Sequence, residues 1–168
     1  MKGKAEAKAV LSFSAGAIVC VINGQPKVLL LTQSNSFYKR RSKARVLDIG
    51  PKGRIEDGED AVAAAEREIK EEIGVKPLMD TNFRAVKDYE FLDRDQKGNS
   101  IRVRKSVVYF LALLRSGEAG NIRISPEHSK FEVVTFKEAI RKAKHQSDRD
   151  ILSQCEEYVR GNLGRMVL

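Results

Sequence analysis

The sequence from Gly53 to Val75 reads GRIEDGEDAVAAAEREIKEEIGV and carries charged, small and aliphatic residues at regular spacings. Gly74 is typical of a helix C-terminus, and Pro77 follows just beyond it. Helix formation inside the segment is favoured by the alanines at positions 61, 63, 64 and 65. We therefore predict a helix over residues 59–73, introduced by Asp57 and Gly58, with acidic residues in its first turn.

The predicted helix has an acidic side next to an apolar side. Glu68 lies three residues before Glu71 and four before Glu72, so these side chains project into one arc. Like charges at these spacings repel one another, and a hard divalent cation bound by the carboxylates would relieve that repulsion. The neighbouring stripe is apolar and should pack on a sheet; it consists of Val62, Ala65, Ile69 and Ile73.

A solvated helix surface is the plainer interpretation of the same acidic side. Charged residues four apart, such as Arg67 and Glu71, have the spacing of simple surface ion pairs. The short stretch from Arg67 to Glu72 would by itself favour this interpretation. Four further residues stand at fixed distances from that stretch and favour a functional site instead: Gly53, Glu59, Gly74 and Val75.

The full pattern is G-x5-E-x7-R-E-U-x-E-E-x-G-U, in which U is a bulky aliphatic residue and every fixed position is filled. It resembles the Nudix box, the signature of enzymes that hydrolyse a nucleoside diphosphate linked to another group X. The resemblance implies attack of an activated water on phosphorus, assisted by Mg²⁺ or Mn²⁺, with a phosphate-linked leaving group. Electrostatics and positioning carry most of such a reaction.

The composition of the chain suits an intracellular globular protein with an anionic partner. Its 168 residues, of which 42% are hydrophobic and 32% charged, fit one globular domain over residues 1–168. Cys20 and Cys155 lie far apart without metal-ligand spacing, which favours a reducing cytoplasm. The net charge of +8 predicts binding of polyphosphate or nucleic acid, with general solubility as the alternative. No obligate protein partner is evident.

The N-terminal apolar run from Val10 to Ile22 imitates a signal peptide, because three lysines precede it. We interpret it as a first core strand, since it leads into Asn23-Gly24, a strong hairpin turn, and then into the apolar stretch Val28–Thr32. No other stretch is long and apolar enough to cross a membrane, so we expect no membrane partner.

Strands and helices interleave along the rest of the chain. Thr135 and Glu138 form a potential capping box for a helix over 137–145, and a second helix over Ile151–Val159 is expected to end at Gly161. We expect an α/β fold, the α/β/α sandwich of the Nudix type with a mixed sheet. Its strands are predicted at 12–22, 27–33, 46–49, 82–93, 101–114 and 133–136.

Three further segments, the first of which overlaps the box at Gly53, and the helical tail after Thr135 are similar to the asymmetric diadenosine tetraphosphate hydrolase subfamily. The three segments are Pro51-Lys52-Gly53, the segment KSVVYFLA from Lys105 to Ala112, and Ser125-Pro126-Glu127-His128 followed by Phe131. Two features depart from that subfamily. The chain has no tryptophan, so Leu47-Asp48-Ile49 occupies the place where a tryptophan is usual, and the basic stretch Lys39–Arg45 is additional.

The resemblance implies roles for the residues of the box. Glu71 and Glu72 are the expected metal ligands, and Glu68 is a further ligand or the general base. The backbone carbonyl beside Gly53 is expected to complete a metal shell, because glycine lets the chain approach closely.

Three further residues are candidates for the reacting centre. Arg67 is expected to orient a glutamate, Glu59, rather than to touch the substrate. Glu127 is a candidate ligand or general base, with a surface-loop carboxylate as the alternative. His128 is a candidate for binding phosphate or shuttling a proton, with a surface histidine as the alternative.

Four residues are candidates for substrate binding. Lys52 and Lys105 are expected to contact phosphate. Tyr109 and Phe131 are candidates for contacting a nucleobase, because aromatic faces stack on bases. Core packing is the alternative for Tyr109.

Three functions follow from the sequence. The first is hydrolysis of dinucleoside polyphosphates, with diadenosine tetraphosphate cut into ATP and AMP. The second is removal of pyrophosphate from RNA 5′ ends, or attack on diphosphoinositol polyphosphates, for which the basic stretch Lys39–Arg45 is the main support. The third is a catalytically silent nucleotide- or RNA-binding module, which would require a damaged box, whereas this box is intact.

The basic stretch Lys39–Arg45 generates the first testable prediction. Because it immediately precedes the strand that leads to Pro51-Lys52-Gly53, we expect Arg40, Arg41 and Lys43 to bind the polyphosphate or an RNA 5′ end. Neutralising these three together should raise KM and flatten its salt dependence while leaving kcat nearly unchanged. Steady-state kinetics at low and high salt measure this. An unaltered KM at low salt on nucleotide and RNA substrates alike would identify the stretch as a solvated loop.

Overall fold

The computed structural model describes residues 9–39 and 45–166. Among these residues no helix combines the length and the hydrophobicity needed to cross a membrane. The elements, in chain order, are β1 (Val10–Ile22), β2 (Lys27–Gln33), β3 (Leu47–Asp48), β4 (Lys52–Arg54), α1 (Ala61–Ile73), β5 (Leu78–Arg94), β6 (Ser100–Arg115), α2 (Ser116–Ala119), β7 (His128–Thr135), α3 (Phe136–Lys142) and α4 (Gln146–Met166).

The strands form one mixed sheet. Its central order is β3-β2-β1-β6-β5, with β4 paired to β1 and β7 paired to β2. β1 and β6 run parallel from the Val10–Val103 pair to the Ile22–Arg115 pair, whereas the other neighbours are antiparallel. This arrangement confirms the predicted mixed sheet.

Helices cover both faces of the sheet, which confirms the predicted α/β/α sandwich. On one face, Ile69 and Ile73 of α1 pack against Val19 and other small and aliphatic residues of β1 and β6. On the opposite face, Phe136 of α3 and Leu152 of α4 join a core that also contains residues of β1, β2, β5 and β6. The packing on the first face holds α1 against the strands that carry the candidate site.

Helix α1 begins two residues later than predicted. Asp60 is its N-cap, because its side chain accepts a hydrogen bond from the Ala63 N–H at 2.8 Å. The prediction that Asp57 and Gly58 introduce the helix, with acidic residues in its first turn, is wrong: Gly58 has a φ of +80° and the first turn contains no acidic residue. The C-terminus agrees with the prediction, since Gly74 has a φ of +71° and its N–H bonds to the Lys70 carbonyl.

The C-terminal half differs from the sequence prediction at several boundaries: α3 ends at Lys142 instead of residue 145, and α4 begins at Gln146 instead of Ile151. α4 continues past Gly161 to Met166, because Met166 is buried against the core and this packing outweighs the cost of about 1 kcal/mol for a glycine inside a helix. β7 starts at His128 instead of Val133, because its early residues pair with β2, including Phe131 with Leu31. His128 and Phe131 therefore belong to a strand. The capping box of Thr135 with Glu138 is present.

Two short elements were absent from the sequence prediction. β4 has only three residues and lacks a hydrophobic alternation, yet it pairs with β1 through Gly53 and Ala15. α2 is a single turn after β6. β4 matters for function because it places Gly53 over α1.

The buried face of α1 generates a stability prediction. Ile69 is fully buried between the helix and the sheet, so Ile69→Ala should lower the free energy of unfolding by about 2–5 kcal/mol through lost burial and a residual cavity. Denaturant unfolding measures this. The matched control is Lys70→Ala, whose exposed side chain should cost under about 0.5 kcal/mol. Equal effects in the two variants would contradict the packing described.

Candidate active site

The three glutamates of α1 have different environments. Glu68 and Glu72 are buried on the side of α1 that faces β4 and the loop before β7. The side chain of Glu71 is 58% exposed and accepts a hydrogen bond from Arg67 at 3.2 Å. Of the three glutamates in the predicted acidic arc, Glu68 and Glu72 are therefore buried and Glu71 is exposed.

Gly53 lies directly over the Glu68 carboxylate. The Gly53–Ala15 pairing of β4 with β1 brings the backbone to this point. A Cβ atom built on Gly53 would collide with the Glu68 carboxylate, so only glycine fits here without displacing that side chain. This contact explains why a glycine stands 15 residues before Glu68 in the pattern.

Arg67 connects the box helix to the loop before it. Its Nε and Nη2 donate to the two carboxylate oxygens of Glu59 at 2.8 and 3.0 Å, and Nη2 also donates to the Arg54 carbonyl at 2.9 Å. Its Nη1 donates to Glu68 at 2.7 Å. The hydrogen bonds from Arg67 hold the pKa of Glu59 below its usual range. Burial raises the pKa of Glu68, and Arg67 opposes this rise.

Glu72 is held at both carboxylate oxygens. Oε1 accepts from the Lys52 backbone N–H at 3.2 Å, and Oε2 lies 2.7 Å from His128 Nε2. The side chains of His128 and Glu72 are only 1% and 5% exposed. This buried contact joins α1 to the first residue of β7.

Glu127 completes a group that could hold a metal ion. One potential ligand atom from each of Glu72, Glu127 and His128 lies within 4.8 Å of the others. Glu127 is fixed by its carbonyl, which accepts from Ser34 N–H at 2.7 Å, and by its carboxylate, which accepts from the Tyr38 hydroxyl at 3.2 Å. Carboxylate oxygens suit a hard divalent cation, and imidazole suits several transition metals. This group contains Glu72 and Glu127, both of which the sequence suggested as ligands, and adds His128, which the sequence did not assign to a metal.

Comparison with known proteins identifies the family of the chain. The model of the NUDIX domain family matches residues 12–155. The chain belongs to the Nudix family. The matched region contains the complete box and both residues that contact the Glu72 carboxylate, Lys52 and His128.

Solved Nudix structures have the same fold at low sequence identity. A C. elegans Ap4A hydrolase in a binary complex is 25% identical with a TM-score of 0.71, covering 89% of this chain and 98% of its own. An E. coli dihydroneopterin triphosphate pyrophosphohydrolase is 20% identical with a TM-score of 0.64, covering 89% and 99%. The NUDIX domain of Shewanella oneidensis NrtR, complexed with ADP ribose, is 18% identical with a TM-score of 0.59, covering 95% and 94%. The protein is a Nudix hydrolase.

Two predicted substrate residues of this Nudix hydrolase are buried. His128 is not a surface histidine, and its buried ring has no surface for a phosphate contact. Tyr109 is 1% exposed and belongs to the hydrophobic core, although it also contributes to the lining of the cleft beside Lys52. Phe131 is 36% exposed and remains accessible to a ligand.

The two predicted phosphate-binding lysines differ in their partners. Lys52 Nζ lies 3.0 Å from Asp48, whose two oxygens also accept from the Gln33 amide at 3.0 and 2.9 Å. Burial opposes the charge of Lys52, but Asp48 holds the pKa of Lys52 above its ordinary value. Lys105 is half-buried, and its ammonium group makes no hydrogen bond or ion pair within the described part of the chain. Burial, followed by the charges of Lys52 and Arg54, lowers the pKa of Lys105.

A cleft of about 450 Å³ opens beside Lys52, and sequence reasoning missed it. Its lining includes Asp48 and Tyr89, and it also contains the partly buried ion pair of Lys87 with Asp148, whose atoms lie 2.6 Å apart. The partners of this pair are 61 residues apart, and no local pattern connects them. The predicted binding residues Arg40, Arg41 and Lys43 lie outside the described residues.

The contact between Gly53 and Glu68 generates a prediction. Gly53→Ala should displace the Glu68 carboxylate and lower kcat by about 100-fold, because a displacement of about 1 Å at a reacting centre can cost this much. Gly120→Ala is the matched control, since its φ is −67° and the nearest atom to its new Cβ lies at 3.9 Å. Circular dichroism and steady-state kinetics compare the two. Wild-type kcat in folded Gly53→Ala would contradict the close contact.

Proposed function

We propose that this Nudix hydrolase cleaves a phosphoanhydride bond in dinucleoside polyphosphates, cutting diadenosine tetraphosphate into ATP and AMP. The observation that carries the proposal is the division of the site into three adjoining parts. The carboxylate and histidine group reaches the Lys52 backbone through Glu72, Lys105 lies within electrostatic range of Lys52 and Arg54, and Lys52 lines a cleft whose lysines are paired with aspartates. The first part would hold a metal ion, the second a polyphosphate chain and the third an uncharged nucleoside.

The reacting centre is assigned to Glu72 and Glu127, with Glu68 behind them. A divalent cation, Mg²⁺ or Mn²⁺, supplies charge neutralisation at the bridging phosphates and acidifies water when it is bound. Glu72 and Glu127 would hold it, because their oxygens are close together and Glu72 is fixed at both of its oxygens. Glu68, whose pKa is raised by burial, is the candidate general base, and Arg67 orients it by a 2.7 Å hydrogen bond.

The unpaired cations are assigned to the polyphosphate. The side chains of Lys105 and Arg54 make no hydrogen bond or ion pair with any of the described residues, and the positive charges of Lys52 and Arg54 both act on Lys105. Clustered like charges raise one another's energy, and a polyanion relieves this repulsion. A polyphosphate chain that extends from the metal group would supply that polyanion.

The cleft beside Lys52 is assigned to a nucleoside. Both lysines in its lining are neutralised by buried aspartates, Lys52 by Asp48 and Lys87 by Asp148. A densely phosphorylated group would place negative charge against those carboxylates, so the cleft fits an uncharged ring with donor groups. Tyr89 adds an exposed aromatic face, with the Phe91 ring 6.0 Å away. This favours a dinucleotide over a diphosphoinositol polyphosphate.

An RNA 5′ end is the second candidate substrate. The basic stretch Lys39–Arg45 supports it, since single-stranded RNA binds to cationic grooves with aromatic faces. The similarity to the C. elegans Ap4A hydrolase supports the first candidate.

A substrate panel separates the candidates. The protein is incubated with Mg²⁺ and diadenosine tetraphosphate, triphosphorylated RNA or a diphosphoinositol polyphosphate, and ³¹P NMR identifies the products. We expect kcat/KM on diadenosine tetraphosphate to exceed the others by at least about ten-fold, or ~1.4 kcal/mol. A higher kcat/KM on RNA or on the inositol compound would overturn the substrate assignment and leave the Nudix chemistry intact.

Glu72 generates a prediction for the metal centre. Glu72→Gln keeps the size of the side chain but removes its charge and replaces one acceptor oxygen with an NH₂ donor, so kcat should fall by about two orders of magnitude or more at saturating Mg²⁺. Glu66→Gln is the matched control, because Glu66 is exposed on the same helix and should not affect kcat. Turnover of Glu72→Gln near that of Glu66→Gln would reject the proposed centre.

Glu127 generates a prediction that separates catalysis from binding. If its carboxylate acts at the reacting centre, Glu127→Gln should lower kcat far more than it raises KM. Steady-state kinetics on the best substrate of the panel measure both parameters. Unchanged kinetics would assign Glu127 to a structural loop that is merely close to Glu72.

A further inference from the structure

The Glu72 carboxylate is positioned by two donors from different parts of the chain. The Lys52 backbone N–H contacts Oε1 at 3.2 Å, and His128 Nε2 contacts Oε2 at 2.7 Å. A buried carboxylate without donors would be strongly destabilised, so these contacts both stabilise the charge and fix the side chain. The imidazole contributes the shorter of the two contacts.

The protonation of the His128 ring follows from its surroundings. An ionised Glu72 only accepts hydrogen bonds, so a proton must lie on Nε2 to make the 2.7 Å contact favourable. Nδ1 is buried and has no hydrogen-bond partner among the described residues, which suits an unprotonated acceptor better than a second donor. The arrangement therefore assigns His128 as a donor to Glu72 through Nε2–H.

The backbone around His128 is anchored independently of this side-chain contact. The Ser125 N–H donates to the Glu72 carbonyl at 2.9 Å, and the His128 N–H donates to the Ser125 carbonyl at 3.1 Å. His128 is also paired with Gln33 of β2, next to an irregularity in that ladder. The end of α1 and the start of β7 are thus joined by backbone bonds that hold the ring against Glu72.

We propose that His128 is a positioning residue: its Nε2–H fixes the Glu72 carboxylate beside Glu127 and thereby preorganises the metal centre. The role rests on the proposed function of that centre. It differs from phosphate binding and proton transfer, because the ring is 1% exposed and its donor is already committed to Glu72. Loss of such an outer partner typically weakens metal binding by about 10–100-fold.

Two amide substitutions test the proposal. In His128→Gln the amide nitrogen reaches the place of Nε2 and keeps an N–H donor, whereas in His128→Asn the amide is one methylene too short to reach Glu72. Mn²⁺ affinity is measured by electron paramagnetic resonance without substrate, and kcat and KM are measured separately. We expect affinity within about 3-fold of wild type for His128→Gln and a loss of about 10–100-fold for His128→Asn, with KM little changed in both.

Each alternative outcome has a distinct meaning. Equal losses in the two folded variants would overturn the positioning role and favour direct ligation of the metal by the imidazole. Wild-type affinity in both variants would also overturn it. If His128→Asn does not fold by circular dichroism, His128→Phe replaces it, since its ring keeps most of the packing volume without a donor. If the wild-type protein binds Mn²⁺ but cleaves no member of the substrate panel, the proposed substrate is rejected. The Mn²⁺ affinities of the His128 variants still decide the role of His128 in that case.

Discussion

The burial of Glu68 and Glu72 against the sheet is the constraint on which the site depends. Burying a carboxylate costs free energy unless hydrogen-bond donors or cations contact it. Arg67 donates a hydrogen bond to Glu68, while His128 and the Lys52 backbone N–H contact the Glu72 carboxylate. Each of these donors is itself fixed by other contacts, so the two carboxylates are held in place before any ligand arrives. Such preorganisation is what electrostatic catalysis requires.

The fold supplies these donors from three separate elements. β4 brings the Lys52 N–H and the small Gly53 to α1 through its pairing with β1. The start of β7 brings His128, through its pairing with β2. α1 itself is fixed by apolar packing on the sheet, through residues such as Ile69. The mixed sheet therefore positions the three elements that supply the polar contacts of the site.

The sequence predicted the features that depend on local spacing and left out those that depend on tertiary contact. The box helix and its end at Gly74 follow from helix propensity and from the glycine signal at a helix end. The mixed sheet and the sandwich follow from the interleaving of strands and helices along the chain. The contact of His128 with Glu72 spans 56 residues, and that of Lys87 with Asp148 spans 61, so no spacing rule reaches them. The late end of α4 was missed because burial of Met166 overrides the glycine signal.

The most direct test of the central claim is the position of Mn²⁺ in a crystal of this protein, measured by anomalous scattering. The proposed centre predicts a strong peak within ligand distance of Glu72 and Glu127, about 2.0–2.6 Å from carboxylate oxygens. In Glu72→Gln crystals the same peak should disappear or weaken greatly. A wild-type peak elsewhere on the surface, or an unchanged peak in that variant, would contradict the claim that the buried carboxylates of α1 are held in place for a metal.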